Sequence, residues 1–243
     1  MFDHVTIRVS DRAASQAFYA TVLRTLGVEQ HYDGEQGVEW ENDFSIVPAD
    51  ADHPVTRRLH IAFFAPTHDE VRAFWQDGID AGYRDDGAPG PRPEYGPDYF
   101  GGFLLDPDGN SAEAVHLERR PRSRGAMDHL WIRVADVDAA RRFYEKIMPH
   151  TGTRRGNDGP GRVQFRFNDG SFSFVDGPAT AHVHLAFLAP DDATVDAFHR
   201  DATAAGYRDN GAPGERSEYH RGYYGAYVLD PDGNNVEVVN HNR

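Results

Sequence analysis

The chain has 243 residues, of which 39% are hydrophobic, and it carries a formal net charge of −14. That length and apolar content suffice for one large or two smaller packed domains. The negative charge argues against nucleic acids and anionic membranes as partners. Cysteine is absent, which excludes disulfides, thiol nucleophiles and thiolate metal sites. No apolar run suits a spanning helix and no signal peptide is visible, so we expect a cytoplasmic protein.

The first predicted elements are a strand and a helix. Residues 4–9 alternate between polar and apolar side chains, which predicts a strand with His4 on its polar face. That face must line a wet or liganded surface, because the apolar face packs under a helix. Ser10 and Asp11 then open a helix whose apolar residues follow helical spacing. Short alternating runs come next, among them residues 44–47.

The same order of elements recurs along the chain. Further helices are predicted at 69–81, 137–148 and 192–205. A tight turn is predicted at 106–109, where Pro107 and Gly109 stand in an Asp-Pro-Asp-Gly sequence, and a strand follows it at 111–117. Each unit of sequence therefore predicts one strand, one helix and about three more strands.

The two halves of the chain repeat each other. Residues 59–115 align with residues 183–239 without a gap at an offset of 124, and both contain Leu-Asp-Pro-Asp-Gly-Asn. The earlier segments align at an offset of 125. Similarity of this length indicates gene duplication. The boundary is predicted where arginines, a proline and a glycine interrupt the pattern, at 118–125.

A histidine near the start of a predicted strand precedes a helical phenylalanine by 14 residues four times. The pairs are His4 and Phe18, His60 and Phe74, His129 and Phe143, and His184 and Phe198. The last strand of each half also carries a glutamate after the turn, Glu113 or Glu237. Two imidazoles and one carboxylate are typical ligands of first-row metals. The alternative is that these are strand histidines satisfied by ordinary hydrogen bonds.

The strand histidine, the Phe-Tyr pair of the helix and the Asp-Pro-Asp-Gly-Asn-x-x-Glu motif together resemble the vicinal oxygen chelate superfamily. Its members include glyoxalase I, fosfomycin- and bleomycin-resistance proteins and extradiol dioxygenases. The resemblance covers nearly the whole chain and implies an α+β fold of four βαβββ modules, which form two cupped mixed-sheet domains. The expected domains are 1–118, with modules at about 1–52 and 55–118, and 126–243, with modules at about 126–177 and 180–243. The linker is expected at 119–125.

The resemblance also implies the metal ligands, residue by residue. They are His4, His60 and Glu113 in the first half, and His129, His184 and Glu237 in the second. The cofactor is expected to be a divalent metal ion, with Fe(II) the first choice and Zn(II), Mn(II) or Ni(II) as alternatives. Serine stands at 45 and 173, where glyoxalase I relatives have a further carboxylate. A three-ligand site is therefore expected, as in extradiol dioxygenases.

Four other side chains are candidate catalytic residues. Tyr227 stands at the tyrosine-to-glutamate spacing of extradiol enzymes, and His220 lies near where that family places an outer histidine. The first half has phenylalanine and glycine at these positions, so the second half is the expected catalyst. Tyr99 and Tyr223 lie in long glycine-rich loops of the kind that serve as lids. Their phenols could bind or protonate a substrate, or could hold the loops by packing.

These features predict a metal-dependent enzyme, glyoxalase-like or dioxygenase-like, that acts on a small oxygenated substrate chelated through adjacent oxygens. A dioxygenase and a lyase or isomerase both fit. The alternative is a non-catalytic protein of the bleomycin-resistance type, which sequesters a small molecule in an aromatic crevice. The expected partner in either case is a small molecule, and a homodimer is left open.

Overall fold

The computed structural model describes residues 2–35, 37–41, 43–118, 126–168 and 170–243. The predicted linker at 119–125 lies outside the described residues. Within these ranges the chain repeats the order strand, helix, three strands four times. The prediction of four βαβββ modules is therefore confirmed.

The first two modules have the following elements. The first contains β1 (Phe2–Val9), α1 (Arg12–Leu23), β2 (Gln30–Gly34), β3 (Gly37–Trp40) and β4 (Phe44–Pro48), with a 3-10 turn at Arg24–Leu26. The second contains β5 (Leu59–Phe64), α2 (His68–Asp80), β6 (Arg84–Pro91), β7 (Tyr99–Leu105) and β8 (Ser111–Leu117).

The last two modules repeat this arrangement. The third contains β9 (Met127–Val134), α3 (Val137–Thr151), β10 (Arg154–Arg155), β11 (Arg162–Arg166) and β12 (Ser171–Asp176). The fourth contains β13 (His184–Leu188), α4 (Asp192–Ala204), β14 (Arg208–Glu215), β15 (Tyr224–Leu229) and β16 (Asn235–Asn240).

The strands form two eight-stranded mixed sheets. Their orders are β14-β15-β16-β13-β1-β4-β3-β2 and β10-β11-β12-β9-β5-β8-β7-β6. Within them β13 pairs in parallel with β16, and β5 pairs in parallel with β8. A parallel pair needs a long connection, and the intervening helix and hairpin supply it. The α+β class is confirmed.

The chain divides into two compact units. Unit 1 consists of Met1–Thr6 and Ile132–Arg243, and unit 2 consists of Ile7–Trp131. The divisions fall inside β1 and β9, so the first part of each strand lies in one unit and the rest in the other. His4 consequently belongs to unit 1 and His129 to unit 2.

Each helix begins with a side chain that caps its free backbone N–H groups. Asp11 accepts from the Ala14 backbone N–H at the start of α1, and Asp136 accepts from Asp138 and Ala139 at the start of α3. Thr67 and Asp191 do the same for α2 and α4. Such a cap stabilises a helix by about 1 kcal/mol.

Helices α1 and α3 each carry a Phe-Tyr pair, and burial of this pair explains part of the repeated sequence. In unit 2, Phe18 and Tyr19 are fully buried, and the Tyr19 ring packs at 4.7 Å from Phe44. In unit 1, Tyr144 packs at 4.2 Å from Phe174. Burial of rings of this size stabilises the fold by about 1.5–3 kcal/mol each. The pair is therefore part of the core.

The two tyrosine hydroxyls also connect each helix to the Asp-Pro-Asp-Gly-Asn turn of the same unit. Tyr19 donates to Asp106 Oδ2 at 3.0 Å, and Tyr144 donates to Asp230 Oδ2 at 3.3 Å. Both aspartates also accept backbone N–H groups of the turn. Burial raises the pKa of Asp230 to about 6 despite these bonds. The first aspartate of the motif is thus a structural residue.

One helix boundary differs from the sequence prediction by more than one residue. Helix α3 ends at Thr151 rather than at Met148, and it includes Pro149. Proline lacks the N–H that would bond to the carbonyl four residues earlier, but in the last turn this removes little of the helix. Gly152 ends the helix with φ of 64°. Among the helices of the described residues, none has the length and apolar character needed to cross a membrane.

Candidate metal centres

Two histidines and one glutamate converge in unit 1. The nearest ligand atoms of His4, His184 and Glu237 all lie within 4.8 Å of one another. His184 Nε2 is 2.9 Å from Glu237 Oε2, and His4 Nε2 is 3.6 Å from the same oxygen. The strand register produces this arrangement, because β1 pairs with β13 and β13 pairs with β16.

The same constellation recurs in unit 2. The ligand atoms of His60, Glu113 and His129 also lie within 4.8 Å of one another. His60 Nε2 is 2.9 Å from Glu113 Oε2, and His129 Nε2 is 3.6 Å from it. The two clusters therefore agree in both of these distances.

The grouping expected from the sequence is wrong. His4 was expected beside His60 and Glu113, and His129 beside His184 and Glu237. The structure exchanges the two first-strand histidines between these sets. The reason is topological: β1 is hydrogen-bonded to β13, and β9 neighbours β5, so each histidine lies beside the other half's glutamate. The six side chains are nevertheless those that the sequence singled out.

Both glutamates are buried, with 1% exposure each. Burial alone would raise the pKa of Glu237, but its hydrogen bond with His184 and the nearby histidine charges hold that pKa below its usual value. Tyr223 donates to Glu237 Oε1 at 2.7 Å, and Tyr99 donates to Glu113 Oε1 at 2.6 Å. In each unit one carboxylate oxygen is thus held by a phenol, while the other faces the histidines.

A glycine lies against each of these carboxylates. A Cβ atom on Gly101 would be 2.5 Å from Glu113 Oε1, and a Cβ on Gly225 would be 2.7 Å from Glu237 Oε1. Atoms that close overlap, so both positions require glycine for the carboxylate to keep its place. The sequence analysis missed these residues, although their equivalence in the repeat was a usable signal.

The candidate tyrosines occupy different positions relative to the clusters. Burial, reinforced by the adjacent carboxylates, raises the pKa of Tyr99 and of Tyr223, so both remain protonated hydrogen-bond donors. They contact the glutamates directly and hold them. The Tyr227 ring lies 6.2 Å from that of His184, and its phenol is close enough to Glu237 for the glutamate charge to act on it. Burial likewise raises the pKa of Tyr227.

The two units differ at the position of Tyr227. In unit 2 the corresponding residue is Phe103, whose ring lies 6.0 Å from that of His60. An arginine covers each ring: Arg216 lies 5.5 Å from the centre of Tyr227, and Arg92 lies 5.3 Å from the centre of Phe103. Unit 1 therefore has an additional hydroxyl next to its cluster.

An aspartate precedes the first-strand histidine in both units and bonds to it. Asp3 Oδ1 is 2.8 Å from His4 Nδ1, and Asp128 Oδ1 is 2.9 Å from His129 Nδ1. A carboxylate only accepts hydrogen bonds, so Nδ1 carries the proton and Nε2 points at the cluster. The sequence analysis missed these aspartates, although both halves contain the dipeptide Asp-His.

The remaining two histidines have different Nδ1 partners. His60 Nδ1 is 3.1 Å from Ser111 Oγ, which in turn donates to Asp86 Oδ2 at 2.7 Å. In the other unit, His184 Nδ1 is 2.7 Å from the amide nitrogen of Asn235. The oxygen of that amide accepts from the Asn210 side chain at 3.0 Å.

His220 lies outside the cluster of unit 1. Its Nε2 is 2.8 Å from His241 Nδ1, and His241 Nε2 is 2.7 Å from Asp3 Oδ2. Burial would raise the pKa of Asp3, but its bonds to His241 and His4 hold it well below the usual value. In the contacts seen, two side chains, His241 and Asp3, connect His220 to His4. No role was assigned to His241 from the sequence.

Comparisons with known proteins agree with this architecture. A family model described as Glyoxalase/Bleomycin resistance protein/Dioxygenase superfamily matches residues 1–114 and again residues 126–238. Glyoxalase I from Zea mays is 18% identical, over 99% of this chain and 92% of that one, with a TM-score of 0.69. A candidate dioxygenase from Bacillus subtilis is 17% identical, over 100% of this chain and 85% of that one, with a TM-score of 0.68.

These two solved structures show the same fold as this chain. No curated protein shows a significant match. The two matched segments of the family model leave out only a short stretch between the halves and a few final residues. The chain belongs to the Glyoxalase/Bleomycin resistance protein/Dioxygenase superfamily.

Proposed function

We propose that the protein is an enzyme that holds one divalent metal ion in each unit and acts on a small oxygenated substrate through two adjacent oxygens. The observation that carries this proposal is the duplicated cluster of two histidines and one glutamate. A single set of this kind could arise from ordinary hydrogen bonding. Two sets with equal nitrogen-to-oxygen distances, in units of one duplicated sequence, support a common ligand.

The geometry of the residues fits a metal ion. Donor atoms bound at about 2.1 Å in tetrahedral or octahedral sites lie about 3.0–3.4 Å from each other. The nitrogen-to-oxygen separations in each unit are 2.9 and 3.6 Å, and all three donor atoms lie within 4.8 Å of one another. Only small side-chain movements would therefore bring the three donors to bonding distance. Three protein donors leave coordination positions for a substrate.

A bound ion would supply Lewis-acid polarisation of substrate oxygens, and Fe(II) would also suit oxygen chemistry. The surrounding residues hold the donors. Asp3 and Asp128 orient their histidines, while Tyr223 and Tyr99 orient the glutamates. Tyr227 brings a further protonated phenol to the cluster of unit 1. We therefore propose unit 1 as the catalytic unit, either as a dioxygenase or as a lyase or isomerase.

The metal content of the purified protein tests this proposal. Tag-free protein purified anaerobically should contain about two equivalents of metal per chain by elemental analysis. Iron would favour oxygen chemistry, and Zn(II), Mn(II) or Ni(II) would favour isomerisation or lysis. The variant His184→Ala should lose one equivalent. The control His53→Ala should lose none, because that histidine is exposed and bonds only to Asp50 in the contacts seen.

The enzyme proposal would be refuted by protein that stays metal-free after reconstitution with each of these four ions. A sequestering protein would then be the better account. Two exposed aromatic rings favour that second candidate: Tyr95 packs on Tyr99 in unit 2, and Tyr219 packs on Tyr223 in unit 1. Bleomycin binding that is equally strong before and after treatment with a chelator would support it.

A further inference from the structure

Each cluster contains two histidines. One of them has the same kind of Nδ1 partner in both units, and the other has a different partner in each unit. His4 and His129 each bond through Nδ1 to the aspartate that precedes them, so the same ring nitrogen carries the proton in both. His60 and His184 are equivalent positions in the repeat, but their Nδ1 partners differ. In unit 2 the partner is a serine bonded to an aspartate, and in unit 1 it is an asparagine bonded to another asparagine.

In unit 2 the direction of the hydrogen bonds is fixed. Asp86 can only accept, so the single hydroxyl proton of Ser111 points toward it. The serine oxygen then has only lone pairs to offer His60, and the bond requires a proton on Nδ1. A neutral His60 therefore presents the Nε2 lone pair to Glu113 Oε2, 2.9 Å away. Either a proton or a metal ion must lie between these two acceptors, and in both cases the proton on Nδ1 stays in place, so metal binding requires no change of tautomer.

In unit 1 the hydrogen bond to His184 Nδ1 can run in the opposite direction. The Asn235 side chain directs its NH₂ group at His184 Nδ1, and its oxygen accepts from Asn210. His184 then carries its proton on Nε2 and donates to Glu237 Oε2 at 2.9 Å. The pair of His184 and Glu237 is satisfied in this arrangement without a cation. Metal binding requires the opposite tautomer, and both amides must turn over to support it.

We infer that the two clusters bind metal with unequal affinity, unit 2 being the tight site and unit 1 the weaker, exchangeable site. Asp86 and Ser111 are the positioning residues that produce the difference. The inference rests on the proposed metal function. Hydrogen-bond partners of metal-bound histidines commonly change affinity by about 10- to 100-fold. Asp86 is exposed, so we expect the lower end of that range, about tenfold.

Titration of the metal-free protein with Zn(II) against a competing fluorescent chelator tests the inference directly. The wild-type protein should show two classes of site whose dissociation constants differ by about tenfold. The single-site variants Glu237→Gln and Glu113→Gln identify them: the first leaves unit 2 and should retain the tighter site. Circular dichroism establishes that each variant is folded.

Reciprocal substitutions at the two exposed positions then test the cause. Asp86→Asn should weaken the site of unit 2 by about tenfold. Asn210→Asp should strengthen the site of unit 1, because an aspartate there accepts from Asn235 and turns its oxygen toward His184. A gain of affinity of this kind cannot come from structural damage. Asp80→Asn and Asn168→Asp make the same charge changes at positions that bond only Gln76 and Arg154 in the contacts seen, and should change neither site.

Different outcomes test the proposed metal function and the inferred difference in affinity separately. Equal affinities in the two single-site variants, or a tighter site in unit 1, would overturn the inference and leave the proposed metal function standing. Affinities that differ but do not respond to Asp86→Asn and Asn210→Asp would overturn the assigned cause. Absence of Zn(II) binding at both sites would overturn the proposed function itself.

Discussion

Substitution of Gly101 by alanine should strongly weaken the metal site of unit 2 while leaving that of unit 1 intact. The new Cβ atom would lie 2.5 Å from Glu113 Oε1, whereas ordinary contact begins at 3.4 Å. The carboxylate would have to retreat by about 0.9 Å, several times the spread of about 0.2 Å in metal–ligand distances. Loss of the contacts that hold a metal ligand in place costs about 10- to 100-fold in metal affinity, and a displacement this large favours the upper end. We expect a loss of that order in the Zn(II) affinity of unit 2.

The assay is competition with a chelator in the Glu237→Gln background, where only unit 2 can bind. Gly102→Ala is the matched control, since its Cβ would meet Pro89 at 3.3 Å and would not reach Glu113. The equivalent substitution in unit 1 is Gly225→Ala, where the overlap is slightly smaller because the Cβ would lie 2.7 Å from Glu237 Oε1. If Gly101→Ala binds Zn(II) as tightly as Gly102→Ala, the proposed role of the carboxylate is wrong.

Substitutions at buried tyrosine–carboxylate hydrogen bonds and at one buried carboxyl group give three further predictions. Tyr99→Phe should weaken Zn(II) binding in unit 2 by about 10- to 100-fold, and Tyr223→Phe should weaken unit 1 less, because the Tyr227 hydroxyl lies near the same glutamate and can replace the lost donor; equal losses by chelator competition would contradict this. Burial raises the pKa of Asp43 to about 6, so the folded state binds its proton more tightly, and the contribution of Asp43 to stability falls by about 3 kcal/mol as pH rises from about 4 to 6. Urea unfolding of Asp43→Asn should show a shallower decline over that range, and an unchanged pH profile would refute the assignment. Tyr19→Phe should lower the free energy of unfolding by about 2 kcal/mol and Tyr144→Phe by less, given hydroxyl-to-aspartate distances of 3.0 and 3.3 Å; the reverse order in urea unfolding would contradict it.

The sequence was sufficient for the modules and for the membership of the candidate clusters, because both depend on periodic patterns and on the internal repeat. It did not indicate which histidine joins which glutamate. Alternation along a strand gives the face on which His4 lies but not the strand that pairs with it. Pairing of β1 with β13 connects residues about 180 positions apart, and no local pattern encodes that choice.

The side chains that support the clusters also form two groups: those that the sequence could have revealed and those that only the fold reveals. Asp3 and Asp128 adjoin their histidines, and the repeated dipeptide could have been read from the sequence. Asp86 and Ser111 are 25 positions apart on different strands and contact each other only after the sheet forms. The need for glycine at position 101 becomes clear only from the position of the Glu113 carboxylate in the folded chain. Support that depends on tertiary contacts is therefore the part that sequence patterns miss.

The division of β1 and β9 between the two units has a bearing on the history of the chain. Each cluster takes its first-strand histidine from one repeat and its remaining residues from the other. A half-length ancestor would thus have carried every residue type of the cluster and yet could not have completed one alone. It would have needed a second copy of itself, each lending its first strand to the other. Fusion of two such genes would have made that exchange independent of protein concentration. After the fusion the two clusters could diverge in sequence and acquire different neighbouring residues.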